Sequence, residues 1–490
     1  MTTFSLRLVK DVAIYGGGEI LMRATGFLTL PIYTRVLATD EYGAWGFLTT
    51  AVGLLAAILA IGGDSAYARY YFECKSLRER QTLTSTWFGF LGLWTALVSI
   101  ALAALSHPVA AWFLGHPSYA LAVAFAIVST PLTLVNALLG EVLRNQFRPV
   151  AFTVLNVLGA ALLVGATVLF VVVLKKGLTG LAFSMDVSLA LLIPIRIWTV
   201  RDHLRWEFSV PLLRRLLAFG GPLVPVSIAY WIFAVSDRFV LAKLSTLREL
   251  GLYTVAAAVT AALALVQAAL SRAWSPHAVR LYEDDRESAG RIFGHVLTYI
   301  LLLFAVMCVA VSTFAHELLV VLTTQPYYGA AIAVGPLTLG YLAYATTQIT
   351  GMSITLTKQT TYFARASWGA ALLNLALNLA LVPIWGMLAS AWATAAAYLY
   401  LTIAYLRIGQ RLWPVEYDIR RALTISVAAI AFTIAAPELP DVTSMPTLLL
   451  KVGYVLAFCA ALVATGSVRR DDWRRARAQL RPAPLEEAGT

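Results

Sequence analysis

"LATDEYGAWGFLTTAV" (Leu37–Val52) returns in altered form as "LSTLRELGLYTVAAAV" (Leu244–Val259), with Gly43 aligned to Gly251 at an offset of 208 residues and a one-residue gap. Two further patches repeat in the same order. "LRNQFRPVAF" from Leu143 resembles "LTKQTTYFAR" from Leu356 at an offset of 213, and "KGLTGLAFS" from Lys176 resembles "WGMLASAWA" from Trp385 at an offset of 209. One such match is within reach of chance in a chain rich in Ala and Leu. Three in order at nearly one spacing read as an internal duplication.

The duplicated unit belongs in a membrane. The chain has 490 residues, 60% of them hydrophobic and 13% charged, where soluble domains run near 45–50% and about 25%. Windows of about 18 or more mostly apolar residues recur about fourteen times, each long enough at about 1.5 Å per residue to cross about 30 Å of hydrocarbon. The short alternating segments of a barrel are not found, so the expected class is an all-α integral membrane protein. Six crossings return the chain to the side it started from. The two copies are therefore parallel, related by an axis along the membrane normal, as in transporters that rock two bundles about a central cavity. The expected organisation is a six-helix bundle over 1–200, an interfacial linker over 201–217, a second six-helix bundle over 218–406, two added helices over 407–465 and a basic tail over 466–490.

Charge sets the orientation. Of the 37 lysines and arginines, 26 fall in segments on the N-terminal side of the membrane, 6 on the other side and the rest within or at the ends of spans. Positive residues favour the cytoplasmic face, so both termini are expected there. The net charge of +11 is thereby accounted for, and no nucleic-acid partner is expected. Glu19 and Arg23 interrupt the first apolar segment and no small-residue cleavage site follows it, so it reads as a retained helix. Cys74, Cys308 and Cys459 are too scattered for a disulfide framework or a metal cluster. HExxH, GxSxG and Walker A patterns are missing, so no cofactor and no catalytic residue is expected. A membrane polymerase or ligase is the rival class. Only the Asp40–Glu41 pair favours it, and that pair becomes Arg248–Glu249 in the second copy. His316–Glu317 in an outside loop reads as a solvated pair, and Asp40–Glu41 as a solvated helix cap.

Charges inside spans cost several kcal/mol unless paired or facing water, so they are the informative residues. Glu19 and Arg23 are four apart on one face of the first helix. "GGDSAYARYYFE" sets Asp64 inside the second span and Arg69 toward its cytoplasmic end. Asp237 and Arg238 come late in the seventh, after Pro222 and Pro225, which read as a bend. Arg272 in the eighth is the repeat equivalent of Asp64, an arrangement that would let the two meet across the axis. Gln267, Ser271 and Ser275 form a polar stripe beside it. Tyr341, Tyr344, Gln348 and Thr355 do the same in the tenth helix, while Asn374 and Asn378 read as interhelical glue.

"GFLTLPIYTRVLATDEYGAWGFLTT", "GGDSAYARYYFE", "VSDRFVLAKLSTLRELGLYTVAAAV", "QPYYGAAI" and "LLNLALNLALVPIWGMLASAWATAAAYL" together resemble the Wzx-type polysaccharide flippases, which share a superfamily with the MATE drug exporters and the lipid II flippases. The resemblance covers residues 10–465. It implies movement of an undecaprenyl-pyrophosphate-linked oligosaccharide, such as an O-antigen, capsule or exopolysaccharide repeat unit, across the bacterial inner membrane from the cytoplasmic to the periplasmic leaflet. It also implies membrane lipid and a polymerase or export machinery as partners, and a cationic cavity. Arginines on helices 1, 2, 7 and 8 serve the family there, which here means Arg23, Arg69, Arg238 and Arg272, with Gln267 and Gln348 as further lining. Glu19, Asp64 and Asp237 would orient those arginines or carry a coupling H+ or Na+. Within the superfamily the alternatives are a lipid II flippase and a cation-coupled small-molecule exporter. The two added helices fit the polysaccharide and lipid II branches better.

Overall fold

The computed structural model describes residue 26 and residues 29–205, 207–359, 361–440 and 444–468. After α1 (residues 29–36) come α2 (Thr39–Leu59), α3 (Gly63–Glu73), α4 (Leu77–Ala103), α5 (Ala120–Asn145), α6 (Pro149–Thr167, prolonged by a π turn over Val168–Val173) and α7 (Gly177–Val200). The second half holds α8 (Val210–Gly220), α9 (Val224–Leu244), α10 (Leu247–Asp284), α11 (Arg286–Thr313), α12 (Ala315–Leu322), α13 (Ala331–Thr350), α14 (Met352–Leu356) and α15 (Thr361–Leu412). α16 (Ile419–Ala435) and α17 (Met445–Ala464) follow and pack on α11.

Among the described residues, 11 helices are long and apolar enough to cross a membrane. α15 is two crossings folded at Gly386, where φ is 54° and ψ −132°. The more polar α9 runs 21 residues against α2 and α15. Of the expected spans only the first falls mainly outside the described residues, taking Glu19 and Arg23 with it, as does the basic tail beyond residue 468. Pro222 stands where a bend was expected: a single 3-10 turn, Gly221–Leu223, joins α8 to α9.

One expectation is refined and one is corrected. The apolar run that leads to Asp64 is broken into two helices. α2 stops at Leu59, left-handed Ile61 (φ 48°) and Gly62 (φ 62°) turn the chain, and Asp64 is exposed in the first turn of α3. An acid suits that place, because the first N–H groups of a helix lack intrahelical partners. Glu317 is not solvated. Its carboxylate accepts a 2.6 Å bond from Lys451 of α17, and both side chains are largely withdrawn from solvent. A buried lysine needs such a partner, and sequence separation hid the pairing.

The buried core changes character along the molecule. One apolar cluster spans both halves, with Phe47, Leu48 and Tyr42 from the first and Val240, Tyr253 and Leu319 from the second. It lies at the end where α2 and α10 begin. Toward the other end the core divides. Leu83, Trp87, Leu138 and Leu192 fill a cluster made of the first half and the connecting helix α8, while Phe293, Phe304 and Ile349 fill one made of second-half and added helices. The halves are thus fused at one end and separately packed at the arginine-rich end. The linker is stitched to the first half. Gln81 donates to the Asp202 carbonyl at 2.9 Å, the Arg205 N–H donates to Ser85 at 2.7 Å and the Ser209 N–H to Thr86 at 3.0 Å.

Candidate functional site

The glycines of the repeated phrase meet each other. A Cβ on Gly43 would lie 1.9 Å from the Leu247 carbonyl oxygen, and one on Gly251 would lie 2.2 Å from that of Thr39. These two contacts are one contact written twice, since 39 and 43 correspond to 247 and 251 at the repeat offset. A self-complementary contact of this kind places the two-fold axis between the helices. Gly46 and its equivalent Thr254 continue it one turn on. Around the crossing, the corner after α1 is tied to the far half. Thr324 donates to the Thr34 carbonyl at 2.9 Å, Tyr327 donates to that of Leu37 at 2.9 Å, and Lys243 donates to that of Trp112 at 3.0 Å.

Acids next to the crossing meet the last helix of each half. A Cβ on Gly177 would lie 2.6 Å from a Glu41 oxygen, and one on Gly386 would overlap a Glu249 oxygen outright. Both glycines have φ of 54°, a conformation that suits a residue without a side chain. Glu249 accepts from the Met387 N–H at 2.8 Å and from Ser245 at 2.8 Å, while Glu41 accepts from the Ala38 N–H at 3.2 Å. Asp40 is exposed, as expected of a cap, but Glu41 is half-buried against Gly177. Glu249 therefore pins a helix, and Glu41 packs against the equivalent turn.

Each half holds an open cavity with polar groups in a largely apolar wall. That of the first, about 480 Å³, is lined from α1, α2, α5, α6 and α7, with Thr254 the one lining residue of α10. Arg196 closes one end of it, 2% exposed. Its guanidinium donates to the Asn156 side-chain oxygen and, at 3.4 Å, to the Asn136 carbonyl. The cavity of the second half, about 380 Å³, is lined by Ser271, Tyr344, Gln348, Thr355, Ser367 and Tyr405 among others.

The expected site residues distribute unevenly. Gln348 lines the second cavity and accepts from Ser271 at 2.6 Å, with buried Gln267 in an adjoining crevice. Arg272 is exposed on α10 beside Ser271. Arg238 is half-buried, 3.5 Å from Asp237 and over the Tyr253 ring. Asp237 also accepts from the Tyr253 hydroxyl. Ser236, the residue before it, donates to Asn374 at 3.1 Å. Asn374 also accepts from Asn378 at 3.1 Å, and Asn378 accepts from Ser390 at 2.6 Å. The asparagines thus bind α9 to both limbs of α15. Arg69 is apart from these cavities, exposed on α3, 3.2 Å from Glu73 and over the Phe219 ring.

Sequence reasoning passed over Arg196, Asn136 and Asn156, and also Asp186, which is 7% exposed and whose two carboxylate oxygens have no hydrogen-bond partner. A signal was present. At the offset of 209, Leu192 corresponds to Leu401 and Arg196 to Tyr405, and each pair lines the cavity of its own half. A charge standing where its copy has a phenol is a departure from the repeat that can be read in the letters.

Known proteins agree with this architecture. A profile of the family described as "Polysaccharide biosynthesis protein" matches residues 8–282. A 67-residue stretch, 14% of this chain, is 31% identical to an uncharacterized membrane protein of Haemophilus influenzae, of whose length the chain spans 17%. The fold is similar to that of the lipid II flippase MurJ in an inward closed conformation, with a TM-score of 0.71 and 15% identity over 92% of this chain and 99% of that one. It is also similar to an inward-facing multidrug resistance MATE family transporter, with a TM-score of 0.65 and 15% identity over 79% and 94% of the two chains. At such identities the likeness is one of fold.

Proposed function

The chain belongs to the polysaccharide biosynthesis protein family, and on that premise we propose that it is a flippase for an undecaprenyl-pyrophosphate-linked oligosaccharide, working in the bacterial inner membrane with both termini in the cytoplasm. The observation that carries the reading is the crossing of Gly43 and Gly251, with the core fused there and divided at the arginine-rich end. Two duplicated bundles joined at one end are built to exchange that contact for one at the other end. The cargo head would enter between them from the cytoplasmic side while its lipid stays in or near the bilayer.

The chemistry of the cargo fits the cations available. A pyrophosphate diester carries two negative charges, and guanidinium groups bind phosphate oxygens through paired N–H donors. Arg272 on α10 and Arg238 on α9 would receive it, with Arg23 as a further candidate. The Gln348–Ser271 wall offers hydrogen bonds to sugar hydroxyls. Arg69 is a weaker candidate, because Glu73 and Phe219 already engage it. Asp237, between Arg238 and Tyr253, would orient Arg238. Glu19 and Asp64 remain candidates for carrying H+ or Na+. Electrostatic attraction is strongest in a dry cavity, so reopening to water on the far side favours release. A polymerase or export machinery would consume the delivered unit.

Deletion of the gene in its host tests the proposal. We expect loss of a surface polysaccharide and build-up of lipid-linked units that externally added enzymes cannot reach. Normal surface glycan in the deletion strain would sink it.

A further inference from the structure

The Arg196 end of the first cavity holds more unmet hydrogen-bonding capacity than the fold requires. Arg196 Nε, Asn156 Nδ2, Thr133 Oγ1 and Asn136 Oδ1 are all buried, all belong to residues lining this cavity, and none has a hydrogen-bond partner. Buried polar atoms are nearly always satisfied, so four orphans in one cavity point to a ligand that supplies the missing bonds. Three of the four are donors or can donate, and one belongs to a guanidinium. The two bonds that Arg196 does make go to neutral amide oxygens, and no carboxylate among the described residues forms an ion pair with it. A buried cation in that position calls for an anion.

The second copy of the fold shows that the charge is not structural. Tyr405, the equivalent of Arg196, closes the second cavity from the same turn of the equivalent helix. The architecture accepts a neutral phenol there. Space is also reserved for the guanidinium: a Cβ on Gly140 of α5 would lie 2.8 Å from Arg196 Nη1.

We infer that the first cavity is a binding site for an oxyanion, a sugar carboxylate or a phosphate, held by Arg196 together with Asn156 and Thr133, while the second cavity takes only neutral hydroxyl groups. This deepens the proposed function by naming a charge-selective subsite for the cargo's glycan. Of the two cavities only the first has a guanidinium in its lining, where the second has Tyr405, so an acidic sugar would bind in one orientation.

The test uses the full-length protein purified in detergent and titrated by calorimetry with glucuronate, inorganic phosphate and glucose. The site predicts saturable binding of at least one anion and weaker binding of glucose. Glucuronate alone identifies a sugar carboxylate as the ligand, and phosphate alone identifies a phosphate. Arg196→Tyr, which installs the residue the other half carries, should weaken anion binding about tenfold or more, the order expected when a charge-assisted pair is lost. Gly140→Ala keeps the charge but displaces the guanidinium, and should weaken binding as well if the Tyr variant does not fold. Absence of saturable anion binding to the folded wild-type protein overturns the inference, as does binding unchanged in both variants. Failure here, with surface glycan still lost in the deletion strain, leaves the flippase reading intact. Normal glycan in that strain with anion binding preserved removes the flippase reading and leaves this site.

Discussion

Gly43 and Gly251 carry a heavy demand, because each backbone lies where the other helix's side chain would be. Gly43→Val would drive its Cβ into the Leu247 carbonyl, and neither helix has a flexible side chain there that can yield. Overpacking of this kind costs about 1–3 kcal/mol. The expected outcome is a lower melting temperature of the purified protein, accompanied by greater accessibility of thiols introduced at the fused end. Gly453 has open space around it, so Gly453→Ala serves as the control. An equal loss in both variants would argue against the crossing. Glu41 and Glu249 illustrate how a residue's letter conceals its task. Glu41 reads as a capping acid and Glu249 as its repeat equivalent, and only the fold brings them to Gly177 and Gly386.

Among the elements, the linker between the halves is held by one carboxylate in addition to its hydrogen bonds to Gln81, Ser85 and Thr86. Glu207 accepts from Thr82 at 2.9 Å and from Arg78 at 3.1 Å, and Arg205 Nε is 2.8 Å away. The Thr82 hydroxyl, with the Arg78 and Arg205 guanidinium groups, holds the Glu207 carboxyl below the usual carboxylate range. A depressed folded-state value means that this contribution is fully present above the unfolded-state value and is lost as pH falls through the folded one. Hydrogen exchange in the linker, corrected for its intrinsic rate, should therefore accelerate as pH drops from about 5 to about 3, around the ordinary glutamate value. Glu207→Gln should flatten that dependence. A wild-type linker whose protection ignores pH in this window would contradict the docking. The helix that follows is two-faced: α8 buries Leu216 and Gly220 and exposes Arg214 and Arg215.

At the scale of the molecule, the question is whether the fused end must open. A Cβ on Gly46 would stand 3.3 Å from that of Thr254 across the axis, close to the roughly 3.5–4.5 Å spanned by a disulfide. Gly46→Cys with Thr254→Cys should form a cross-link under oxidation. Polysaccharide export should then stop and return on reduction. A fully cross-linked protein that still exports would show that the crossing never separates, and alternating access about it would be wrong.

Length, apolar content and the 208-residue echo were sufficient for the all-α class, the membrane and the two-fold plan, because the roughly 30 Å of hydrocarbon to be crossed and a duplicated chain both leave their mark along the sequence itself. Asp64, Glu317, Glu41 and Arg196 were not legible in the same way. Helix breaks such as Ile61–Gly62 interrupt an apolar run without changing its composition, and the Lys451–Glu317 pair joins positions 134 residues apart. The duplication is written in the order of the letters, but whether a buried charge meets an acid, an amide or a cavity depends on packing between helices distant in the chain. Only the tertiary structure decided that Arg196 ends among amides and that the repeated glycines meet each other.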